Sequence, residues 1–246
     1  AVFGGGYQGG SPLNLTDVMD YITIATTGDA IDFGDLITAI RGHGATFASP
    51  IRGFISQRGT EVWQFASLGN ARDWGDPDVE ESFSNWVNSA GFSNRHTGFH
   101  AGGITPSITN SIHSISTIHA GDGVDFGNLT VGRKYLGGCS NFTRGIFIGG
   151  NSPSNSNVID YITMASTGDA TDFGDCVRAV NFSTAASSGS DGGLQTADIT
   201  RPTYQPGSGR GLISGGRNAS GSKLDTIDYI NIASEGDAAD FGNLVA

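Results

Sequence analysis

Short apolar segments alternate with glycine-rich polar ones along the whole chain, and they return in a fixed order. Asp20-Tyr-Ile-Thr-Ile-Ala25, Asp160-Tyr-Ile-Thr-Met-Ala165 and Asp228-Tyr-Ile-Asn-Ile-Ala233 put a large apolar residue at alternate positions. A period of two predicts half-buried strands. Glu61-Val-Trp-Gln-Phe-Ala66 and His113-Ser-Ile-Ser-Thr-Ile118 fill the same place less regularly. Upstream lies a short apolar run ending in glycines: Val2-Phe-Gly-Gly-Gly6, Gly98-Phe-His-Ala-Gly-Gly103, Arg144-Gly-Ile-Phe-Ile-Gly-Gly150 and Arg210-Gly-Leu-Ile-Ser-Gly-Gly216. The second unit carries Arg52-Gly-Phe-Ile-Ser-Gln-Arg-Gly59 instead. A further apolar stretch follows at Leu36–Arg41, Leu129–Arg133 and Cys176–Val180. Each unit thus offers about four short strands, the content of one antiparallel blade.

Between these stretches one octet recurs, G-[DN]-[AG]-x-D-[FW]-G-[DN], at 28–35, 69–76, 121–128, 168–175 and 236–243. Its aromatic residues are Phe33, Trp74, Phe126, Phe173 and Phe241, spaced by 41, 52, 47 and 68 residues. Joining the end to the start gives 38, and the mean of about 49 falls in the ~40–50-residue range of a propeller blade. The long spacing has a local cause, the Ser-, Gly-, Thr- and Pro-rich stretch 183–209, which reads as an inserted loop. In the octet the glycines admit positive φ, and Asp32, Asp73, Asp125, Asp172 and Asp240 are placed to accept backbone N–H groups in Asx turns. The aromatic residue then folds back between blades, where burying one ring stabilises by about 2–3 kcal/mol. The units run 1–51, 52–94, 95–143, 144–209 and 210–246, in one domain. The register predicts that the N-terminal strand joins the C-terminal blade as a clasp, and that one blade is a strand short or borrows one from another chain. In the second unit Val79, Phe83, Trp86 and Val87 lie near helical spacing after Pro77, so 76–87 reads as a short helix or an irregular strand.

Composition agrees. Glycine numbers 39 of 246, and only Lys134 and Lys223 supply lysine, so turn formers dominate and an all-helical chain is excluded. The net charge is −11 and the arginines are scattered, which excludes general nucleic-acid binding. No apolar run approaches the ~18–20 residues of a membrane-spanning helix. The chain opens on Ala-Val-Phe, which suggests a processed or partial chain. The two cysteines, Cys139 and Cys176, are too few for a disulfide scaffold and read as buried and unpaired, with a mutual disulfide as the alternative.

At this point the chain resembles kelch-type propeller repeats, with the Arg-bearing strand, the Gly-Gly strand, the Tyr-bearing strand and a later aromatic in the kelch order. It is more similar still to the Gly-rich kelch-like repeats of tailed-phage virion and tail-fibre proteins, especially of marine and cyanobacterial phages. The Gly-poor second unit, the degenerate third Tyr strand and the insertion in the fourth depart from that pattern. The resemblance implies an all-β, five-bladed kelch-like propeller. It also implies a non-enzymatic structural or adhesion role in a virion, as a tail fibre, head fibre or decoration-type module. The partners it implies are other virion proteins, further copies of the chain, or a host surface.

Motifs that suggest other chemistry have structural readings. Gly4-Gly-Gly6-Tyr-Gln-Gly9 fits G-x-G-x-x-G, but a strand rather than a helix follows and the motif belongs to a repeat. Asp-Phe-Gly occurs without the other kinase elements and reads as a turn. Asp29, Asp32 and Asp35 are calcium candidates, although the D-x-D-x-D alternation of calcium loops is absent and turns use the same residues. His96 and His100 lie four apart in an expected strand, about 13 Å from each other at ~3.3 Å per residue. No HExxH or G-x-S-x-G occurs. The kelch ring also houses a copper oxidase, whose Tyr–Cys crosslink and histidine ligands this chain does not match. No cofactor is expected. Five N-x-[ST] sequons, at Asn14, Asn128, Asn141, Asn181 and Asn218, bear on function only in a secreted eukaryotic protein. The alternative to a virion role is a secreted glycan-binding propeller lectin, with Tyr7, Trp86, Tyr135 and Tyr204 stacking on sugar rings. A third reading is an open fibre in which the next subunit supplies a missing strand.

Overall fold

A computed structural model describes residues 1–8, 14–40, 44–57, 59–77, 88–104, 107–182, 184–187 and 209–245. The described residues form nineteen strands and no helix. The expected helix or strand at 76–87 lies, from residue 78 on, outside them. The strands build five antiparallel sheets in chain order, one of three strands and four of four. The first sheet holds β1 (Val2–Gln8), β2 (Asn14–Tyr21) and β3 (Ile31–Ile40). The second holds β4 (Ala45–Ala48), β5 (Arg52–Ser56), β6 (Thr60–Gln64) and β7 (Arg72–Gly75). In the third are β8 (Ala90–Ser93), β9 (Thr97–Ala101), β10 (Ser111–Ser116) and β11 (Val124–Asn128). The fourth has β12 (Gly137–Ser140), β13 (Arg144–Ile148), β14 (Ser156–Thr163) and β15 (Thr171–Val180). The fifth has β16 (Thr184–Ser187), β17 (Arg210–Ser214), β18 (Thr226–Asn231) and β19 (Ala239–Asn243).

The Gly-Gly runs, the Tyr-bearing runs and the octets are the last three strands of every sheet. The first strand of sheets two to five, β4, β8, β12 and β16, is one the alternation pattern does not show, because Ala-Thr-Phe-Ala, Ala-Gly-Phe-Ser, Gly-Gly-Cys-Ser and Thr-Ala-Ala-Ser are too short and too small-residued to read as apolar runs. The stretch after the octet is not an extra strand. Leu36–Ile40 and Cys176–Val180 prolong β3 and β15, and Leu129–Arg133 is irregular. The sheets therefore divide the chain one strand earlier than the sequence units. The expected insertion at 183–209 opens with β16, and 188–208 lie outside the described residues. The Tyr-bearing strands also sit further upstream than their alternation suggests. β2 ends at Tyr21, and the following residues turn, with the Thr26 amide donating to the Thr23 carbonyl at 3.1 Å.

The octet aromatic is the odd residue of a β-bulge in all five sheets. Met19 pairs with Gly34 and Asp20 with Asp32, which leaves Phe33 unpaired, and Trp74, Phe126, Phe173 and Phe241 are skipped in the same way. A bulge takes one residue's carbonyl out of the ladder, and that carbonyl needs another donor. The next sheet provides it. Gly69, Gly121, Gly168 and Gly236 donate their amides to the carbonyls of Phe33, Trp74, Phe126 and Phe173 at 2.8–2.9 Å. Ala71, Gly123, Ala170 and Ala238 donate to the carbonyls of Asp35, Asp76, Asn128 and Asp175 at 2.7–2.8 Å. The amides of those four residues in turn donate to the side-chain oxygens of Asn70, Asp122, Asp169 and Asp237 at 2.9–3.2 Å. Three hydrogen bonds thus staple each sheet to the next, four times over. The seventh octet residue must be glycine: Gly127 has φ 149°, and a Cβ there would come within 2.3 Å of the Gly168 carbonyl oxygen.

Sheets also meet along their first strands, β4 beside β8, β8 beside β12 and β12 beside β16. Phe47 of β4 fills the space a Cβ would need at Gly98, and Phe92 of β8 does so at Gly145. The aromatic core lies here: Phe92 packs on Phe147 at 4.8 Å between ring centroids, and Phe99 on Phe126 at 5.1 Å. Phe33, Phe126 and Phe173 are buried as expected, whereas Phe241, in the fifth sheet, is 55% exposed.

The expected clasp is not formed. β1 pairs with β2 in the first sheet, and the fifth sheet has four strands of its own. Among the described residues the first sheet is the one a strand short, without a counterpart of β4, β8, β12 and β16.

Candidate functional site

Among the described residues β1 is an edge strand, with a cavity beside it. Ala1 and Ile22 exchange both backbone hydrogen bonds, at 2.8 and 2.9 Å. Alternation along an antiparallel strand then turns the amides and carbonyls of Val2 and Gly4 away from β2. They face a cavity of about 690 Å³ bounded by β1 and by stretches of β4, β8, β12 and β16. Phe3, 55% exposed, and Phe65, 44% exposed, lie on its wall with Phe47, Phe54, Trp63 and Phe92. The indole nitrogen of Trp63 is buried with no acceptor, and its ring covers Gly53, at the position where Phe47 covers Gly98 one sheet on. The lining is largely apolar and uncharged, suited to holding polypeptide or an apolar group rather than an ion.

A smaller pocket of about 200 Å³ is lined in part by Asn88, Tyr135 and Phe182. These three take left-handed backbone at equivalent places before or near β8, β12 and β16, with φ of 68°, 59° and 54°. They form a relay in which the Tyr135 amide donates to the Asn88 carbonyl at 2.7 Å and the Phe182 amide to the Tyr135 carbonyl at 3.0 Å. The Tyr135 and Phe182 rings stack at 3.8 Å, with Lys134 5.4 Å from the tyrosine ring. Of the glycan candidates, Tyr135 lies here, while Tyr7 is 48% exposed on β1, away from it. Trp86 and Tyr204 lie outside the described residues.

The calcium candidates are not gathered into a site. Among the described residues no group of three or more His, Cys, Asp or Glu is placed to hold a metal ion. The second octet position, Asp29 in the first sheet, is the one used in the sheet-to-sheet staples, and Asp29 itself has no preceding sheet to bond and is exposed. Of the five octet aspartates, Asp73 accepts its Asx-type bond from the Gly75 amide at 3.3 Å. Asp32, Asp125, Asp172 and Asp240 are exposed beside the bulge.

The titratable groups that burial perturbs serve packing. His96 precedes β9, and His100 lies within it, opposite His113 on β10. Ser56 Oγ lies 3.0 Å from His100 Nδ1, but both residues are fully buried. Burial, with His113 alongside, pushes the His100 pKa down to about 3, so the ring stays neutral. Cys139 and Cys176 are unpaired and buried, and burial pushes both thiols up to about 12. Arg133, fully buried, pairs with Asp160 and donates to the Gly149 and Val158 carbonyls at 2.8 and 2.7 Å. Burial lowers its pKa while Asp160 opposes that shift. Glu61 accepts from the Ile37 and Thr38 amides of the first sheet at 2.7 and 3.2 Å, and burial raises its carboxyl. Sequence reading missed Arg133, Asp160 and Glu61, because one charge in a half-polar strand carries no sign of its burial.

No protein-family model and no curated protein matches this chain.

Proposed function

We propose that the five sheets are the blades of a kelch-like propeller, and that the protein is a non-enzymatic structural or adhesion module of a tailed-phage virion, acting through contacts with other virion chains or a host surface. The observation that carries this reading is the octet. Its conserved-in-chain residues are spent on four identical staples between sheets, and the resemblance to phage repeats rests on those same residues. The net charge of −11 makes for an acidic surface, suited to an exposed particle component. Mass spectrometry of purified phage particles from the source tests the assignment: the protein is expected among the virion components, and its absence there removes the claim.

The glycan-binding reading has one favourable feature, the Tyr135–Phe182 stack at a small pocket. A glycan array decides it. Binding that Tyr135→Ala abolishes would make the module a lectin, and an array without signal would leave protein contacts as its work.

A further inference from the structure

We propose that the junction of the second and third sheets binds a small aromatic carboxylate, a planar ring carrying an acidic group, in the cavity bounded by Arg52, Val62, Trp74 and Ala120.

The junction of the fourth and fifth sheets shows how the chain fills this place with its own side chains. Tyr161 stands opposite Ile146, its ring lies edge-on to Phe173 at 6.0 Å between centroids, and Arg144 lies over it at 4.6 Å. The Tyr161 hydroxyl donates to Glu235, in the turn before Gly236, at 2.9 Å. Arg144 divides its guanidinium: Nη1 donates to the Ala233 carbonyl at 3.4 Å, and Nη2 reaches the Glu235 carboxylate at 3.5 Å. A ring, a guanidinium and a carboxylate close that junction together.

Between the second and third sheets only the guanidinium is kept. Val62 stands opposite Phe54 as Tyr161 stands opposite Ile146, and Arg52 lies two residues before Phe54 as Arg144 lies two before Ile146. Ala120 precedes Gly121, whose amide donates to the Trp74 carbonyl, as Glu235 precedes Gly236, whose amide donates to the Phe173 carbonyl. Two small side chains thus replace a phenol ring and a carboxylate, and both line a cavity of about 370 Å³. Arg52 Nη1 still donates to the next sheet, to the Thr117 and Ile118 carbonyls at 3.1 and 3.3 Å, but among the described residues its Nη2 meets no carboxylate. Trp74, a wider ring than Phe173, takes the guanidinium over its own face at 4.9 Å and gives the cavity an aromatic wall. Arg72, exposed at the edge of the cavity, is a second cation with no ion pair among the described residues. A ligand with a π face for the guanidinium and an acid for its Nη2 supplies both missing pieces at once. Asp73 also lines the cavity, and its charge turns that acid toward Arg52 and Ala120. The bounding residues belong to unbroken described stretches, 44–57, 59–77 and 107–182. The inference stands on this junction alone and does not rest on a virion role.

The test is a calorimetric titration of the full chain with para-hydroxyphenylacetate, alongside spectra of the indole N–H groups. Saturable one-to-one binding with a Kd of roughly 0.1–5 mM is expected for so small a ligand, with a shift of the Trp74 indole resonance. Its neutral amide and cyclohexylacetate each lack one of the two pieces, and each should bind about ten-fold more weakly. Ala120→Glu changes an exposed turn residue and sets a carboxylate where the ligand's acid would lie, so it should also weaken binding about ten-fold. Val62→Tyr combined with Ala120→Glu rebuilds ring and acid together and should abolish binding; should that double variant fail to fold, Ala120→Glu alone decides. No saturation at about 20 mM ligand overturns the proposal, as does equal affinity for either analogue or unchanged affinity in the Ala120→Glu protein.

Discussion

Replace Gly127 by alanine, and separately Gly242 by alanine. The two glycines hold the same octet position and nearly the same backbone, with φ 149° and 148°. Left-handed extended backbone of this kind costs a non-glycine residue about 1–3 kcal/mol, and both variants carry that term. Their surroundings differ. A Cβ at Gly127 would stand 2.3 Å from the Gly168 carbonyl oxygen, whereas at Gly242 nothing lies within 4 Å. The clash at Gly127 is with backbone and cannot be relieved by a rotamer change. Sheets three and four must part there, which breaks the Gly168–Phe126, Ala170–Asn128 and Asn128–Asp169 bonds. At about 1 kcal/mol net for each bond, the junction adds roughly 3 kcal/mol to the Gly127 variant alone. Gly127→Ala should therefore lose about 4–6 kcal/mol and Gly242→Ala about 1–3 kcal/mol. Urea unfolding followed by far-ultraviolet circular dichroism measures both, with equal slopes required for the comparison. If the two variants lose the same stability, the octet staple is not what holds successive sheets together.

The other predictions use the same contacts. Asp169→Ala should cost about 1 kcal/mol by urea titration and Asp169→Asn close to nothing, because Asn70 makes the equivalent bond to the Asp35 amide at 3.2 Å. Asp160→Asn strips the carboxylate from the buried Arg133 and should lower stability by about 3–5 kcal/mol in the same assay. Cys139 and Cys176, with thiols pushed up to about 12, should not react with a thiol-specific chromogen at pH 8 until denaturant is added. His100 is neutral in the fold, with its pKa pushed down to about 3, while the unfolded chain takes up the proton near 6.5. Its stabilisation is full above pH 6.5 and declines as pH falls toward 3, so stability should drop by up to about 2–3 kcal/mol between pH 6.5 and 4.5, and His100→Gln should flatten that slope.

The parts of the fold that were legible in the sequence are those whose signal is local. Alternation in Asp160-Tyr-Ile-Thr-Met located a strand, and five copies of one octet located five sheets. The first strands carry no such signal, because a four-residue run of small residues has no periodicity to read. Their boundary signal is in the turn that follows. Asn94 accepts from the amides of His96 and Thr97, and Asn141 from those of Thr143 and Arg144, so Ser-Asn before the next strand marks a tight hairpin. The clasp expectation fails for a related reason: with no first strands visible in the sequence, β1 reads as a spare strand, whereas it pairs with β2 in a sheet of three. Little of the candidate site was legible, since the cavity exists only once four small-residue strands are set side by side.

Small residues are what make those strands fit together. With Gly, Ala, Ser and Thr at most positions of β4, β8, β12 and β16, adjacent first strands approach closely, and each sheet spends one larger side chain, Phe47, Phe92 or Cys139, on a glycine of the next sheet. The outer edge uses the opposite device. There a bulge turns a ring such as Phe173 into the core shared with the next sheet and frees a carbonyl, and the next octet answers with an amide. Close contacts along the first strands and ring-spaced ones along the last strands together join each sheet to the next in the same way. The first and last sheets hold the same positions without these contacts among the described residues. Phe241 has its ring exposed and Gly242 has no neighbour, while Asp29 bonds no preceding sheet and β1 has no first strand beside it.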